Sequence, residues 1–242
     1  MNNIIHTIPV FNLCLSFIPV AIVVVIMQRW AVGGRTAVYA VSRMVVQLVL
    51  IGYVLAYIFK AEHSGIIVMV MAVMLIVSSW IALRPLNAKS RKTYFYVLGS
   101  ISLGGITTLA LITQIVLELH PWFLPQYMIP LAGMIFANAM NTVSLAAERF
   151  ESETGNGAAY DKARHTAFNA ALIPLINMLF AVGLVSLPGM MTGQILSGVS
   201  PLIAVRYQIM VMCMVFGSCG ISAACYLYLL KGSEEQAEES VL

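Results

Sequence analysis

Charged residues are scarce in this sequence. Asp, Glu, Lys and Arg together make up 10% of the 242 residues, whereas an ordinary soluble domain carries about 25%. Apolar residues make up 60% of the chain, and each helix that crosses a bilayer needs roughly 20 of them. The composition therefore excludes a large soluble enzyme domain and predicts an all-α integral membrane protein with about seven transmembrane helices.

The residues on which most enzymes and tight metal sites depend are also missing from the apolar segments. No Asp or Glu lies in the middle of a predicted span, and the four histidines lie at span ends or in loops. The four cysteines show no CxxC spacing, and no phosphate-binding loop of the form GxxxxGKS or GxxxxGKT occurs. We therefore expect no enzyme, no cofactor bound by this chain and no nucleic-acid partner, and the residues assign no metal site.

Seven apolar segments, separated by charged or Pro/Gly-rich joints, predict the transmembrane helices. They are residues 8–29, 37–59, 64–83, 95–117, 124–146, 166–185 and 204–230. Ten of the Lys and Arg residues fall in the joints on one side, and only Lys60 and Arg206 fall on the other. The positive-inside rule then predicts a multi-pass protein of the cell membrane with its N terminus outside and its C terminus in the cytoplasm. Residues 1–232 would form a single transmembrane domain and residues 233–242 an acidic cytoplasmic tail.

The stretch VSLPGMMTGQ, Val185 to Gln194, interrupts the apolar sequence without adding charge, and no Lys, Arg, Asp or Glu occurs between Ser186 and Pro201. Non-helical backbone at membrane depth is tolerated only where it is buried in protein or lines a wet cavity. We expect a re-entrant or broken segment near 186–201 that belongs to a translocation path or gate; the alternative is an ordinary external loop. The candidate residues are Pro188, Gly189, Met190, Met191, Thr192, Gly193 and Gln194.

Polar side chains within the predicted spans are the other candidates for such a path. Arg43 and Gln47 lie one helical turn apart on the second span, so they share a face. Arg43 is a functional candidate because an intramembrane Arg is costly, and the alternative is that it reaches the cytoplasmic headgroups. Asn138 and Asn141 on the fifth span and Asn177 on the sixth would line the path, or else bond neighbouring helices.

Three stretches of the chain resemble the FetB-type permeases, the membrane subunits of bacterial iron-export ABC transporters, to which plant aluminium-tolerance permeases are similar. They are residues 170–212 around LPGMMTGQ, residues 42–55 (SRMVVQLVLIGYVL) and residues 129–146 (IPLAGMIFANAMNTVSLA). The resemblance implies that residues 1–232 are a permease domain that forms a homodimer in the lipid bilayer. It also implies a separate cytosolic ABC ATPase subunit, which would bind the ATP, and export of iron or a metal-related solute.

The only sizeable polar segment between spans is ERFESETGNGAAYDKARH, residues 148–165, which the charge distribution places in the cytoplasm. It is the obvious place for a soluble partner to bind. Many members of the resembled family carry a longer loop with a coupling helix here, and this chain has a shorter one. The expected coupling residues are Glu148, Arg149, Tyr160, Asp161, Lys162 and Arg164.

Two alternatives to an ABC transporter permease follow from other classes of membrane protein. A secondary transporter driven by an ion gradient would need no ATPase, but the absence of acids and histidines from mid-span counts against proton coupling. A non-transporting membrane assembly subunit would tolerate apolar replacements of Arg43, Asn141 and Gln194. Neither the substrate nor the direction of transport follows from the sequence.

Overall fold

The computed structural model describes residues 8–58, 63–86 and 90–239, so Lys60 and Lys89 of the charge count lie outside the described residues. All regular structure within these ranges is helical. The described residues divide into two compact units, one up to residue 58 and one from residue 63 onwards.

The first unit contains three helices: α1 (Val10–Leu15), α2 (Ile18–Arg29) and α3 (Gly34–Ile58). A turn separates α1 from α2, and within it the Ser16 hydroxyl donates to the Leu13 carbonyl at 2.6 Å. Proline at residue 19 lies in the first turn of α2, where its missing N–H leaves no helical bond unmade. Helices α2 and α3 pack against each other, which gives a helical pair.

The second unit is a helical bundle built around its last helix. Its elements are α4 (Ser64–Ala82), α5 (Arg91–Ala110) with a π-helical continuation (Leu111–Val116), α6 (Pro125–Gly155), α7 (Tyr160–Ala181), α8 (Gly189–Leu196) and α9 (Pro201–Glu239). Helix α9 packs against α5, α6, α7 and α8, while α4 packs against α5 and α6. The fully buried side chains Ile101, Ile135 and Met214 place the core where α5, α6 and α9 meet.

Small residues allow α5 and α9 to approach closely at one point. A Cβ atom added to Gly104 would lie 2.7 Å from the Ser218 carbonyl oxygen and 2.8 Å from the Ser222 backbone nitrogen. Both neighbours are backbone atoms of α9, so they cannot rotate away as a side chain would. Glycine at residue 104 therefore sets the distance between these two helices, as small residues do in membrane bundles.

The all-α membrane class predicted from composition is confirmed. Every predicted span overlaps helical structure, and six helical segments of the described residues, with α1 and α2 counted together as Val10–Arg29, are long and apolar enough to cross a membrane. The sixth predicted span, residues 166–185, falls on α7, which is not among those six. Its first turns carry Asp161, Lys162 and Arg164, and these charges lower the hydropathy of the helix.

The segment near 186–201 is broken, as predicted. Helix α7 ends at Ala181, the chain turns through residues 182–188 with Gly183 at φ +83°, and α8 occupies only Gly189–Leu196 before α9 begins at Pro201. Proline at 188 precedes α8 and proline at 201 opens α9. Two prolines and a left-handed glycine thus divide what would otherwise be continuous apolar helix.

The polar segment 148–165 is mostly helical and is not the loop that the sequence pattern predicts. Helix α6 continues to Gly155 and α7 starts at Tyr160, so only residues 156–159 form the turn. Helix formers and an i, i+4 ion pair of Arg149 with Glu153 at 2.7 Å stabilise the end of α6. We call residues 148–165 the polar hairpin. The backbone of the acidic tail also continues α9 as far as Glu239, and residues 240–242 lie outside the described residues.

Candidate functional site

The broken segment forms one wall of a cavity between α6, α8 and α9. This α6–α8–α9 cavity has a volume of about 630 Å³. Helix α6 contributes its first turns, α8 contributes Met190 and Gln194, and α9 contributes its own first turns. The lining residues are Leu117, Gln126, Tyr127, Pro130, Leu131, Met134, Met190, Gln194, Val199, Ile203, Tyr207 and Met210. Two of the predicted path residues therefore lie at a site with room for a solute.

Helix α8 lies between this cavity and a smaller one. The second cavity, of about 360 Å³, is lined by the end of α7, by Met191 of α8 and by residues of α9 that include the buried Gln208. Successive residues of an α-helix point about 100° apart, so Met190 and Met191 reach different faces of the same short helix. The predicted Met-Met pair thus faces two cavities and not one.

The other predicted residues of the broken segment hold the local structure. Pro188 is the residue that precedes α8, and its carbonyl accepts from the Thr192 hydroxyl at 3.2 Å. Gly189 and Gly193 are exposed, and no atom lies within 4 Å of a Cβ built at either position. The backbone at these glycines is therefore open to a partner or to solute.

The predicted asparagines are not gathered into one cluster by the described contacts. The Asn138 amide donates to the Met134 carbonyl at 2.7 Å, and the Asn138 carbonyl accepts from the Thr142 hydroxyl at 3.0 Å, so both bonds stay within α6. Asn141 and Asn177 are exposed on α6 and α7. Asn138 is nevertheless one turn beyond Met134, which lines the α6–α8–α9 cavity.

Arg43 and Gln47 share a face of α3, as their spacing predicts. With the Gln47 amide oxygen turned towards Arg43, it accepts from the guanidinium Nε at 3.0 Å and from Nη2 at 3.3 Å. A hydrogen bond of this kind partly offsets the cost of holding a guanidinium within an apolar helix. The pair belongs to the first unit of the chain, and its role in a path stays a prediction.

The polar hairpin is fastened to α9 through Tyr160. The Tyr160 hydroxyl donates to the Leu227 carbonyl of α9 at 2.6 Å. The Tyr160 ring packs edge-on against Phe150 of α6 with 5.7 Å between ring centroids, and the Arg164 guanidinium lies 5.5 Å from the Tyr160 ring centre. One side chain therefore joins the ends of α6 and α7 to the middle of the last helix.

Burial also affects the chemistry of this tyrosine. Desolvation raises the pKa of the Tyr160 hydroxyl above its usual 10.0, and the hydrogen bond and positive charge of Arg164 oppose that rise. The hydroxyl is therefore protonated at physiological pH and remains a donor. Of the remaining predicted coupling residues, Asp161 pairs with Arg164 at 3.2 Å, while Glu148 and Lys162 are exposed.

Most of the cavity wall is not predicted by the sequence pattern. Tyr127 and Met134 of α6 and Tyr207 and Met210 of α9 line the cavity with Met190 and Gln194. In the sequence, these cavity residues are marked only by their place near the start of α6 and α9, each of which begins with proline and carries amphipathic residues in its first turns. The Leu227 carbonyl that anchors Tyr160 carries no sequence signal, because every residue has a carbonyl.

No group of three or more His, Cys, Asp or Glu side chains within residues 8–58, 63–86 and 90–239 could hold a metal ion. The amides, phenols and thioethers of the α6–α8–α9 cavity are the polar groups available there. Thioethers are soft, polarizable groups that adapt to varied ligands, and amides bond to neutral polar groups.

Comparison with known proteins identifies relatives over almost the whole chain. The model of the uncharacterised protein family UPF0014 matches residues 10–158 and 154–233. The UPF0014 membrane protein slr1647 of Synechocystis sp. is 38% identical over 200 residues, which cover 76% of this chain and 73% of that protein. The Escherichia coli protein named "Probable iron export permease protein FetB" is 32% identical over 247 residues, covering 94% of this chain and 92% of that protein. The Arabidopsis thaliana protein ALUMINUM SENSITIVE 3 is 34% identical over 224 residues, covering 86% and 80%. No solved structure matches the chain significantly.

Proposed function

Because the chain belongs to the UPF0014 family of membrane proteins, we propose that it is the membrane permease subunit of an ABC transporter that exports iron or a metal-related solute. In this proposal two copies form the permease, and a separate cytosolic ATPase subunit binds and hydrolyses ATP. The N terminus lies outside the cell and the polar hairpin in the cytoplasm, in accordance with the distribution of Lys and Arg.

The name of one relative supports this proposal for the chain. That relative is named a probable iron export permease, and the alignment with it covers 94% of this chain. A permease that contains no phosphate-binding loop needs another subunit to supply the energy of ATP. The sequence of this chain contains no such loop.

The polar hairpin is the main structural support for coupling to an ATPase subunit. Helix α6 has 31 residues and is about 46 Å long at 1.5 Å per residue, whereas the hydrocarbon core of a bilayer is about 30 Å thick. Its polar end therefore projects beyond the membrane, together with the start of α7. Tyr160 joins this projection to α9, so a force applied to the hairpin reaches the bundle through three helices.

The proposed transport mechanism depends on α6 and α9, which extend from the polar hairpin to the α6–α8–α9 cavity. Helices α6 and α9 form both the neighbourhood of Tyr160 and two walls of the α6–α8–α9 cavity. Closure of the ATPase pair would move the hairpin, and α6 and α9 would shift relative to α8, which lies at the external end of the path. Alternating access to the cavity is the expected result.

The exposed amides support a dimer. Asn141 and Asn177 are exposed on α6 and α7, and a polar side chain that faces lipid is unfavourable compared with one that faces protein or water. In the proposed homodimer these side chains face the second copy or the path between the copies.

The test replaces residues 155–164 by a Gly/Ser linker of equal length and measures the ATPase activity of the reconstituted transporter. We expect activity to fall to that of the ATPase subunit alone, because the linker removes the turn, Tyr160 and Arg164 together. The same replacement of residues 233–242 is the control and should preserve activity. Unchanged ATPase activity in the 155–164 variant would contradict coupling through the hairpin. Cellular iron, manganese and aluminium contents, measured with and without the chain, identify the exported element.

A further inference from the structure

The α6–α8–α9 cavity has the size of a site for a small organic molecule. Its volume of about 630 Å³ falls within the range of roughly 300–1,000 Å³ that is typical of such sites. A single metal ion with its direct ligands needs far less space. The volume alone therefore favours a solute with many heavy atoms.

The lining of the cavity carries no formal charge. None of the described residues that line it is Asp, Glu, His, Lys or Arg, although Glu118 and Arg206 neighbour lining residues in sequence. Bare Fe²⁺ and similar divalent ions are held in proteins mainly by imidazole and carboxylate groups. Without such ligands the cost of removing water from a divalent ion is not repaid. The cavity is therefore poorly suited to a bare divalent ion.

The polar groups that are present suit an uncharged solute. Gln126 and Gln194 contribute amides, and Tyr127 and Tyr207 contribute phenols, in a surface that is otherwise aliphatic or thioether. The Gln194 side-chain oxygen Oε1 is buried and has no hydrogen-bond partner among the described residues. Buried acceptors without partners are rare in folded proteins, and a bound donor is one way to satisfy them.

From these observations we infer that the α6–α8–α9 cavity binds an uncharged solute, either a neutral organic chelator or its neutral metal complex, and not a bare divalent metal ion. That this solute is transported through the cavity rests on the proposed function. Binding of the solute to the cavity requires only this chain and no ATPase subunit. The three methionines Met134, Met190 and Met210 form the adaptable part of the wall, as flexible thioethers do at sites that accept varied shapes.

The test measures binding to the purified full chain in lipid nanodiscs by equilibrium dialysis. Three probes are compared: radiolabelled Fe²⁺ under reducing conditions, the neutral iron(III) complex of three hydroxypyridinone molecules, and radiolabelled hydroxypyridinone without metal. We expect saturable binding of the neutral complex or of the free hydroxypyridinone, and none of Fe²⁺. Comparing the two neutral probes shows whether the metal complex or the organic molecule is preferred.

Paired variants locate the binding. Val199→Phe fills the α6–α8–α9 cavity, and the matched Val68→Phe fills the cavity of about 550 Å³ between α4, α5 and α6. Gln194→Met removes the amide with the buried oxygen, and the control Gln114→Met removes an exposed amide that lines the other cavity and donates to the Thr113 hydroxyl at 3.0 Å. We expect Val199→Phe and Gln194→Met each to weaken binding of the neutral probe by about tenfold or more. The two control variants should bind as the parent does.

Three outcomes would overturn the inference: saturable binding of Fe²⁺ without binding of a neutral probe, no saturable binding of either neutral probe, or binding that both cavity variants leave unchanged. The proposed function fails on a different measurement, namely ATPase activity that does not depend on the polar hairpin. Binding is measured without the ATPase subunit, so either conclusion can fail while the other stands.

Discussion

Replacing Tyr160 should loosen the polar hairpin by an amount that the structure allows us to estimate. Tyr160→Phe keeps the ring but removes the 2.6 Å hydrogen bond to the Leu227 carbonyl, which contributes about 1 kcal/mol net. Tyr160→Ala also removes the edge-on contact with Phe150, worth about 1 kcal/mol, and the contact with the half-exposed Arg164, worth about 0.5 kcal/mol. With the lost apolar burial of the ring, we expect a total destabilisation of about 3 kcal/mol for Tyr160→Ala.

The assay is reversible unfolding of the purified chain in mixed detergent micelles, followed by the ATPase activity of the proposed transporter, reconstituted with its ATPase subunit. Tyr228 provides the control, because it follows Leu227 on α9 but its side chain is 71% exposed. Tyr228→Phe and Tyr228→Ala should each change the free energy of unfolding by no more than about 0.5 kcal/mol. If Tyr160→Ala is no more destabilising than Tyr228→Ala, the hairpin is not fastened to α9 and the reasoning is wrong. We expect ATPase activity to fall in the order parent, Tyr160→Phe, Tyr160→Ala.

Two further predictions concern helix packing and pH. Gly104→Ala would place a Cβ 2.7 Å from the Ser218 carbonyl oxygen, so it should lower the free energy of unfolding by about 1–3 kcal/mol; Gly99→Ala on the same helix meets no atom within 4 Å and should be neutral or stabilising by up to about 1 kcal/mol. Equal effects of the two substitutions would show that α5 and α9 are not in close contact. Burial raises the pKa of Tyr160 from 10.0, so folding stabilises the neutral form of its hydroxyl. The resulting contribution to the free energy of unfolding is complete below the pKa of the unfolded chain, and it is lost as pH rises through the pKa of the folded chain. The difference in unfolding free energy between the parent and Tyr160→Phe should therefore be constant from about pH 6 to 9 and shrink above about pH 10; a difference that disappears near neutral pH would contradict the assignment.

The helices were predictable because a bilayer imposes a simple length requirement on apolar sequence. Predicted span 64–83 and helix Ser64–Ala82 agree almost residue for residue. The break before α9 was predictable for a related reason, since prolines at 188 and 201 interrupt a helix and the absence of charge between them favours a broken segment over an ordinary solvated loop.

The details that depend on contacts between distant residues were not predictable. Apolar residues 10–29 contain a turn at Ser16 that the hydropathy of the segment does not reveal. The π-helical segment Leu111–Val116 follows directly from α5 with no proline or glycine to mark it. The polar hairpin was predicted as a partner-binding segment from its charge, but its helical structure, its ion pairs and the bond of Tyr160 to α9 were not predicted.

The candidate site was predictable only in part, for the same reason. Met190 and Gln194 were identified because they belong to an unusual sequence, and they do line a cavity. Tyr127, Tyr207 and Met210 lie in unremarkable apolar helices, and only the packing of α6 and α9 brings them to that cavity. Composition identifies irregular segments well, but it does not identify the faces of regular helices that meet them.

The continuity of α9 has a mechanical consequence. Tyr207 at the cavity and Leu227 at the Tyr160 anchor lie on one helix without an internal proline, roughly 30 Å apart along its axis. A rod of that length that pivots near Leu227 by ~10° moves its far end by ~5 Å, which is about one helical turn. Angular change at the Tyr160 anchor is thereby magnified into displacement of the cavity wall, so a small rotation near Leu227 would suffice to reshape the α6–α8–α9 cavity at the start of α9.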